Sequence, residues 1–517
     1  MGKLMDRKLS FVFIFLQALF SVLLCLVILY VGFIPDKYAI IAVIVCIVLL
    51  VYQVLAQLTD SSYIIGRVLS VIFCIVFAVG GYYLHDTYDA MAQVSGSNTK
   101  IDVISYYVLA SDPAQSLQDA KDYTYGILSV IDRENTDKAL AEAKTEVGQD
   151  LHIVEYQDSS SMVDALYAKE IQVAVFNQGF VNTVTEQFKT FSKDTRQLVQ
   201  HEIETQIEEE PEAEEEEDDY ATSVTEKPFI VYMSGIDVYG DLTTNSRSDV
   251  NVLMVVNPLT HKLLLVSTPR DYYVPLYDHK GNSRSGGMPD KLTHAGIYGV
   301  EVSMGTLEHL YGVDVKYYIR VNFSSVKQII NLLGGVRVYS DFDFISDWGP
   351  YGAGSHYTFK KGYNKVNGKK GLAFCRERHH FENGDYQRGR DHQHMIEAIL
   401  NKVMSPTVLG DYPALLKASK NMFQTNMSTK KIVSLCKMQL DEMCRWKISY
   451  ANAAGSGTMG YTYSMPSTKL YVCQVDPNSV AKITTKIKKF MDERPGDEST
   501  EETDNSTQPL NDQGTNE

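Results

Sequence analysis

The sequence predicts a membrane-anchored α/β protein: three N-terminal transmembrane helices, a small α/β accessory domain, then a larger α/β domain whose central mixed sheet is flanked by helices. Three observations predict it. Three apolar runs, each of about 20 residues, follow one another before His85. Beyond them, strand-like and helix-like segments alternate in two blocks. Between the blocks Glu208–Asp219 reads EEEPEAEEEEDD, ten acids and no base. The formal charge of the 517-residue chain is -16, and this run together with the acidic tail from Asp492 accounts for all of it, leaving the rest near neutral. Segments so charged repel themselves and bury no core, so they read as linker and disordered tail. The expected organisation is a short N-terminus (1–10), the spans (11–84), the accessory domain (98–205), the linker (206–227), the larger domain (228–490) and the tail (491–517).

The spans are Phe11–Ile34, Ala39–Leu58 and Tyr63–Leu84. A cleaved signal peptide is the rival reading, but the first run exceeds the apolar stretch of a signal and two more follow at once. Lys3, Arg7, Lys8 and Arg67 fall on one side of the membrane, with Lys37 alone in the first outer loop. Positive residues favour the cytoplasm, so the N-terminus is expected inside and everything after His85 outside. The cysteines show no CxxC or metal-ligand spacing. Cys375 is expected to be a small buried residue rather than a thiol nucleophile.

In the accessory block, IDVISYYVLA, YTYGILSV, LHIVEYQ and QVAVFN read as strands. NTDKALAEAKTEV, SSMVDALYAKE and the run from Phe180 to Gln200 read as helices. The block has no glycine-rich phosphate loop and no cluster of catalytic residue types, so no chemistry is assigned to it. In the larger block PFIVYMSG, VNVLMVVN, KLLLVSTPR and VKYYIRVN are strands. DKLTHAGIYGVEVSMGTLEHLYG and SVKQIINLLGG are helices, the latter stopped by Gly334 and Gly335. Helices over Asp391–Met404, Tyr412–Phe423 and Ser428–Leu440, a last strand YVCQV and a helix to Phe490 complete it.

Charged residues gather at the ends of these very apolar strands: Asp237 in SGIDVYG, Arg247 and Asp249 in NSRSDVNV, Arg270 and Asp271 in STPRDYYV. Open α/β sheets place their sites there. The densest group is GLAFCRERHHFENGDYQRGRDHQ, with Arg376, Arg378, Arg388 and Arg390. Each has a plain structural alternative, such as an Asx turn at Asp237 or an ion pair between Arg270 and Asp271. Their combination argues for a densely charged anionic ligand.

Taken in order, GIDVYGD, RSDVNVLMVVNP, LVSTPRDYYV, DKLTHAGIYG, NLLGGVRV, AFCRERH and GDYQRGRDHQ resemble the motif series of the LytR–CpsA–Psr (LCP) family, over about Pro228–Pro406. The three spans and the preceding α/β domain resemble most the streptococcal, capsule-associated members. The resemblance implies a membrane-anchored phosphotransferase that moves an anionic glycopolymer, such as capsular polysaccharide, from a polyprenyl-pyrophosphate carrier onto peptidoglycan. It also implies other capsule-assembly proteins as partners. It further implies Arg270, Lys291, Arg376, Arg378 and Arg388 as pyrophosphate ligands, Arg390 by a looser match, and Asp237 and Asp249 as ligands of Mg²⁺, with Mn²⁺ as the alternative ion. Where the family often carries an Arg-Gln-Gln run, this chain has Asp391-His392-Gln393, so His392 or Gln393 is expected to take the glutamine's phosphate contact.

Residue chemistry points the same way. The guanidinium fork donates two parallel hydrogen bonds to a phosphate and stays charged. Hard carboxylate oxygens suit Mg²⁺, which usually takes one or two of them plus phosphate and water. Arg247, two residues before Asp249, is expected beside the phosphate, and Arg247, Arg270 and Asp271 are the expected catalytic residues. The general base is left open between Asp249 and Asp271. The rivals are a non-catalytic glycopolymer-binding scaffold and a pyrophosphatase that transfers to water. Direct nucleic-acid binding is excluded by a predicted cytoplasmic portion too small for any recognition module.

Overall fold

The computed structural model describes residues 2–59, 63–94, 99–207, 224–236, 242–346, 356–382, 384–405, 419 and 422–497. The acidic run 208–219 and most of the tail lie outside the described residues, as does most of the helix expected over Tyr412–Phe423.

Three helices, Gly2–Val31, Asp36–Leu58 and Tyr63–Val94, form an N-terminal bundle. Each contains a stretch long and apolar enough to cross a membrane, of mean hydropathy 2.9, 3.0 and 2.3. At the end of the bundle away from the N-terminus, Val31, Phe33 and Met91 pack with Val433 of the helix Thr429–Glu442. Lys437 bonds Asp36 at 2.9 Å there, so the larger α/β unit sits on that end.

The first α/β unit is a five-stranded sheet in the order β3-β2-β4-β1-β5, with β1 Thr99–Leu109, β2 Thr124–Leu128, β3 His152–Tyr156, β4 Val173–Asn177 and β5 Thr195–Gln206. β2 is parallel to β3 and β4, while β1 runs antiparallel to β4 and β5. The helix expected over Phe180–Gln200 is corrected. Two short helices, Val181–Gln187 and Phe191–Asp194, give way at Thr195 to β5, which pairs with β1 along its whole length. TRQLVQHEIETQ has β-branched residues and an antiparallel partner, and that pairing overrides its modest helix-forming character.

The second unit is built on a six-stranded mixed sheet in the order β16-β11-β6-β7-β8-β17. Its strands are β6 Phe229–Ile236, β7 Ser248–Asn257, β8 Lys262–Ser267, β11 Tyr317–Asn322, β16 Gln424–Thr425 and β17 Lys447–Asn452. Short antiparallel ribbons surround it: β9 Tyr273–Pro275 with β10 Pro289–Lys291, β12 Val336–Ser340 with β15 Gly362–Val366, and β13 Phe344–Ser346 with β14 Tyr357–Phe359. β18 Gly455–Thr462 pairs with β19 Met465–Val475. YVCQV therefore belongs to this hairpin, and the strand that extends the sheet beside β8 is β17, which the sequence reading omitted.

Alternation along the strands divides the core. Leu264 and Val266 of β8 face Leu307, Ile483 and Ile487, while Leu263 and Leu265 face Met427, beside the partly buried Ile396 and Leu400. Helices thus cover both faces, as two apolar sides on one strand require. The helical stretch after β10 is broken at Gly299, whose φ of +130° suits glycine and where a Cβ would lie 2.2 Å from the Glu301 carboxylate. The break separates Leu292–Tyr298 from Val300–Tyr311.

Candidate functional site

β6, β8, β11 and β17 run the same way, and β7 runs against them. Their carboxyl ends and the start of β7 therefore share one edge of the sheet, where the sequence places its charges. A cleft opens there. Its walls include Asp249 from β7, Arg270 and Asp271 from the loop after β8, and Asp385, Arg388 and His392 from the helix Gly384–Val403.

That helix enters the site at a close backbone contact. A Cβ on Gly384 would lie 2.2 Å from the Arg378 carbonyl oxygen, so only glycine lets the helix start against the Arg376–Arg378 turn. Spacing then does the rest. Asp385, Arg388 and His392 recur at i, i+3 and i+7 and so face the cleft together. Arg388 Nη2 pairs with Asp385 Oδ1 at 3.0 Å.

The centre of the cleft is Asp249. Arg270 Nη1 and Thr293 Oγ1 each donate to its Oδ1 at 3.1 Å. Burial alone would raise its pKa, but Arg270, Arg247 and Arg388 overcome that and hold it at about 2. Arg388 is opposed first by burial and then by Arg270, which lower its pKa. Two guanidinium groups held near each other in a partly buried cleft are stabilised by an anion between them. Arg270 Nε is buried and makes no hydrogen bond, lying 3.5 Å from Asp271 Oδ2. Lys291 Nζ stands 3.2 Å from Asp271 Oδ1. Asp271 thus lies between two cations. Arg247 donates to Glu186 of the first α/β unit at 3.0 Å.

The remaining expected ligands sort as follows. Asp237 lies outside the described residues. Arg376 lies over the Phe323 ring at 4.4 Å, and Arg378 is close enough to help lower the Arg388 pKa; neither lines the cleft. Arg390 is corrected. It sits on the opposite side of its helix, where Nε and Nη2 donate to the two oxygens of Asp341 at 3.1 and 3.2 Å. Gln393 is corrected as well. It is buried, and its Nε2 donates to the Leu265 and Ala451 carbonyls at 2.9 Å each, tying helix to sheet. His392 reaches the cleft as a neutral ring. Burial first and Arg388 second push its pKa down to about 4, and its Nε2 bonds the Cys375 carbonyl at 2.9 Å. With that N–H spent, it is not a phosphate donor.

Three participants escaped the sequence reading. Thr293 carried no signal beyond its place after Lys291. Glu186 lies in a block with no recognisable motif, and nothing short of the fold brings it to Arg247. Asp385 escaped as well, because the helix was expected to start at Asp391 and in fact starts at Gly384, which sets Asp385 one turn before Arg388.

A profile of the LytR_cpsA_psr family matches residues 191–489. Similar curated proteins include the polyisoprenyl-teichoic acid–peptidoglycan teichoic acid transferase TagU of Bacillus licheniformis, 30% identical over 269 residues, covering 51% of this chain and 78% of that protein. The protein of the same name from Bacillus subtilis is 28% identical over 278 residues, covering 53% of this chain and 82% of its own. Among solved structures, protein gbs0355 of Streptococcus agalactiae is 26% identical with a TM-score of 0.44, covering 53% of this chain and 91% of that one. With most of the second α/β unit inside the matched residues, the chain belongs to the LytR_cpsA_psr family.

Proposed function

We propose that the protein transfers an anionic glycopolymer from a polyprenyl-pyrophosphate carrier to peptidoglycan on the outer side of the membrane. The observation that carries this reading is the convergence of Arg270 and Arg388 on the partly buried carboxylate of Asp249. Relatives named as transferases of polyisoprenyl-linked teichoic acid to peptidoglycan support it. The three spans and the added α/β unit favour capsular polysaccharide as the polymer. The positive residues flanking the spans favour an inside N-terminus.

In this reading the pyrophosphate lies along Arg270 and Arg388, with Lys291 and Arg247 at its margin. A peptidoglycan hydroxyl oxygen attacks the phosphorus that carries the glycan. A new P–O bond forms, the bridging P–O bond breaks, and polyprenyl monophosphate leaves with the bonding electrons while the hydroxyl proton passes to water. The arginines gain most from charge that develops on the phosphoryl oxygens as the bridge breaks. Asp249, with a pKa near 2, is too weak a base to take the proton but suits a hard cation, since it stays ionised at any working pH. Asp249 fits Mg²⁺ or Mn²⁺, with Asp237 as the second ligand; when bound, the ion neutralises pyrophosphate charge.

The test uses the full chain in detergent micelles with a polyprenyl-pyrophosphate glycan, Mg²⁺ and a peptidoglycan oligomer. Release of polyprenyl monophosphate that falls by orders of magnitude in Arg270→Ala and Asp249→Ala is expected. Donor binding without turnover in the unaltered protein would favour the scaffold reading instead.

A further inference from the structure

The helix Gly384–Val403 has a second polar face. At 100° per residue, Arg390 and His394 lie on the far side from Arg388 and His392, with Gln387 and Asp391 on the flank between. Asp341, just after β12, meets this face. We propose that Asp341, Asp391 and His394 form a cation site distinct from the cleft, built for a divalent transition metal of the zinc class.

Three ligand atoms, one imidazole nitrogen of His394 and one oxygen from each aspartate, lie within 4.8 Å of one another. Asp341 Oδ2 is 4.0 Å from His394 Nδ1. Zinc at about 2.0–2.2 Å from each ligand needs them roughly 3.5 Å apart, a small contraction. Among the described residues two polar atoms of this group make no hydrogen bond although their residues are almost fully buried, Asp391 Oδ2 at 1% exposure and His394 Nδ1 at 6%, with the Tyr339 backbone beside the His394 ring. A buried carboxylate oxygen and a buried imidazole nitrogen left unmatched at such a cost are what a bound cation would satisfy.

The surroundings behave as an outer shell. Gln387 Nε2 donates to Asp391 Oδ1 at 2.9 Å and to Asp341 Oδ2 at 3.1 Å, and Arg390 holds Asp341 through both oxygens. These bonds orient the carboxylates and leave Asp391 Oδ2 without a bond among the described residues. Tyr339 and Tyr450 rings lie edge-on to the His394 ring, each with centroids 5.5 Å away, and fix its plane. Charged groups acting on the cluster are Arg390, Glu377 and Glu397, so acids outnumber the one cation. One imidazole and two carboxylates suit zinc better than Mg²⁺, which prefers oxygen alone.

The experiment strips the full chain, in detergent micelles, with a chelator, then equilibrates it with Zn²⁺ and counts bound metal by elemental analysis. One zinc per chain is expected, retained in Asp249→Ala and lost in Asp391→Asn and in His394→Gln. X-ray absorption at the zinc edge of the unaltered protein should show one imidazole and oxygen neighbours without sulfur, a result independent of how the variants fold. No stoichiometric zinc would overturn the proposal. So would zinc lost with Asp249, which would assign it to the cleft. A sulfur neighbour would also overturn it, moving the metal to His261, Glu442 and Cys444, the other group of close ligands among the described residues.

Discussion

Arg247 of the second α/β unit donates to Glu186 of the first at 3.0 Å, and Lys291 lies 4.0 Å from the same carboxylate. The accessory sheet therefore supplies an anion to the margin of the cleft. Glu186 is nearly half exposed, with 44% of its side chain accessible, so its ion pairs add little stability, about 0–1 kcal/mol. It competes with substrate phosphate for the two cations. Glu186→Gln should lower the KM for the pyrophosphate donor several-fold and leave the melting temperature within a couple of degrees. An unchanged or raised KM in steady-state assays would show that the pair does not face substrate.

Arg270 carries the heaviest expectation. Arg270 donates to Asp249, with Asp271 on its other side. Arg270→Ala should reduce kcat by roughly 10²–10³, by analogy with loss of one preorganised donor to a developing charge. Arg270→Lys should recover little, because an ammonium cannot bridge two acceptors through a planar fork. Full activity in the lysine variant would mean that charge alone is used there.

Protonation gives a separate test of stability. The His392 pKa is depressed to about 4, against about 6.5 in an unfolded chain. As pH falls through that window the unfolded state takes up a proton that the folded state refuses, so stability falls with pH from about 6.5 down to about 4. The full effect is on the order of 3 kcal/mol. Asp249 adds a second window. Its folded pKa is near 2, so the stability it contributes is intact above about pH 4 and is lost between there and about 2. His392→Asn should flatten the upper slope in thermal melts and leave the lower one.

Most of the main sheet was legible because its inner strands are apolar on both faces: VNVLMVVN and KLLLVS can only be buried strands. β17 was missed since KISYAN is short and mixed, and it is a strand only because β8 offers it an edge. Within the site, Arg270, Asp249 and Arg388 were legible from their places at element ends. Arg390 and Gln393 were expected at the phosphate from the family resemblance alone, and both point elsewhere. On one helix, a residue two positions after Arg388 turns about 200° away, and one five positions after turns about 140°, so neither can share its target. Helical phase, applied to RGRDHQ, was the signal that separates them.

Gln393 supplies the closing test of that distinction. A phosphate ligand and a structural tie make opposite predictions for the same substitution. If Gln393 held substrate, Gln393→Ala would cut kcat/KM and spare stability. Its amide instead joins the Leu265 carbonyl of β8 to the Ala451 carbonyl of β17, inside the helix–sheet packing. Removing it forfeits two hydrogen bonds and leaves a small void, a loss of about 1–3 kcal/mol. Denaturant titration of Gln393→Ala should show that loss. Below its shifted midpoint the variant should turn over at close to the normal rate, since no group that touches the cleft anion has been removed.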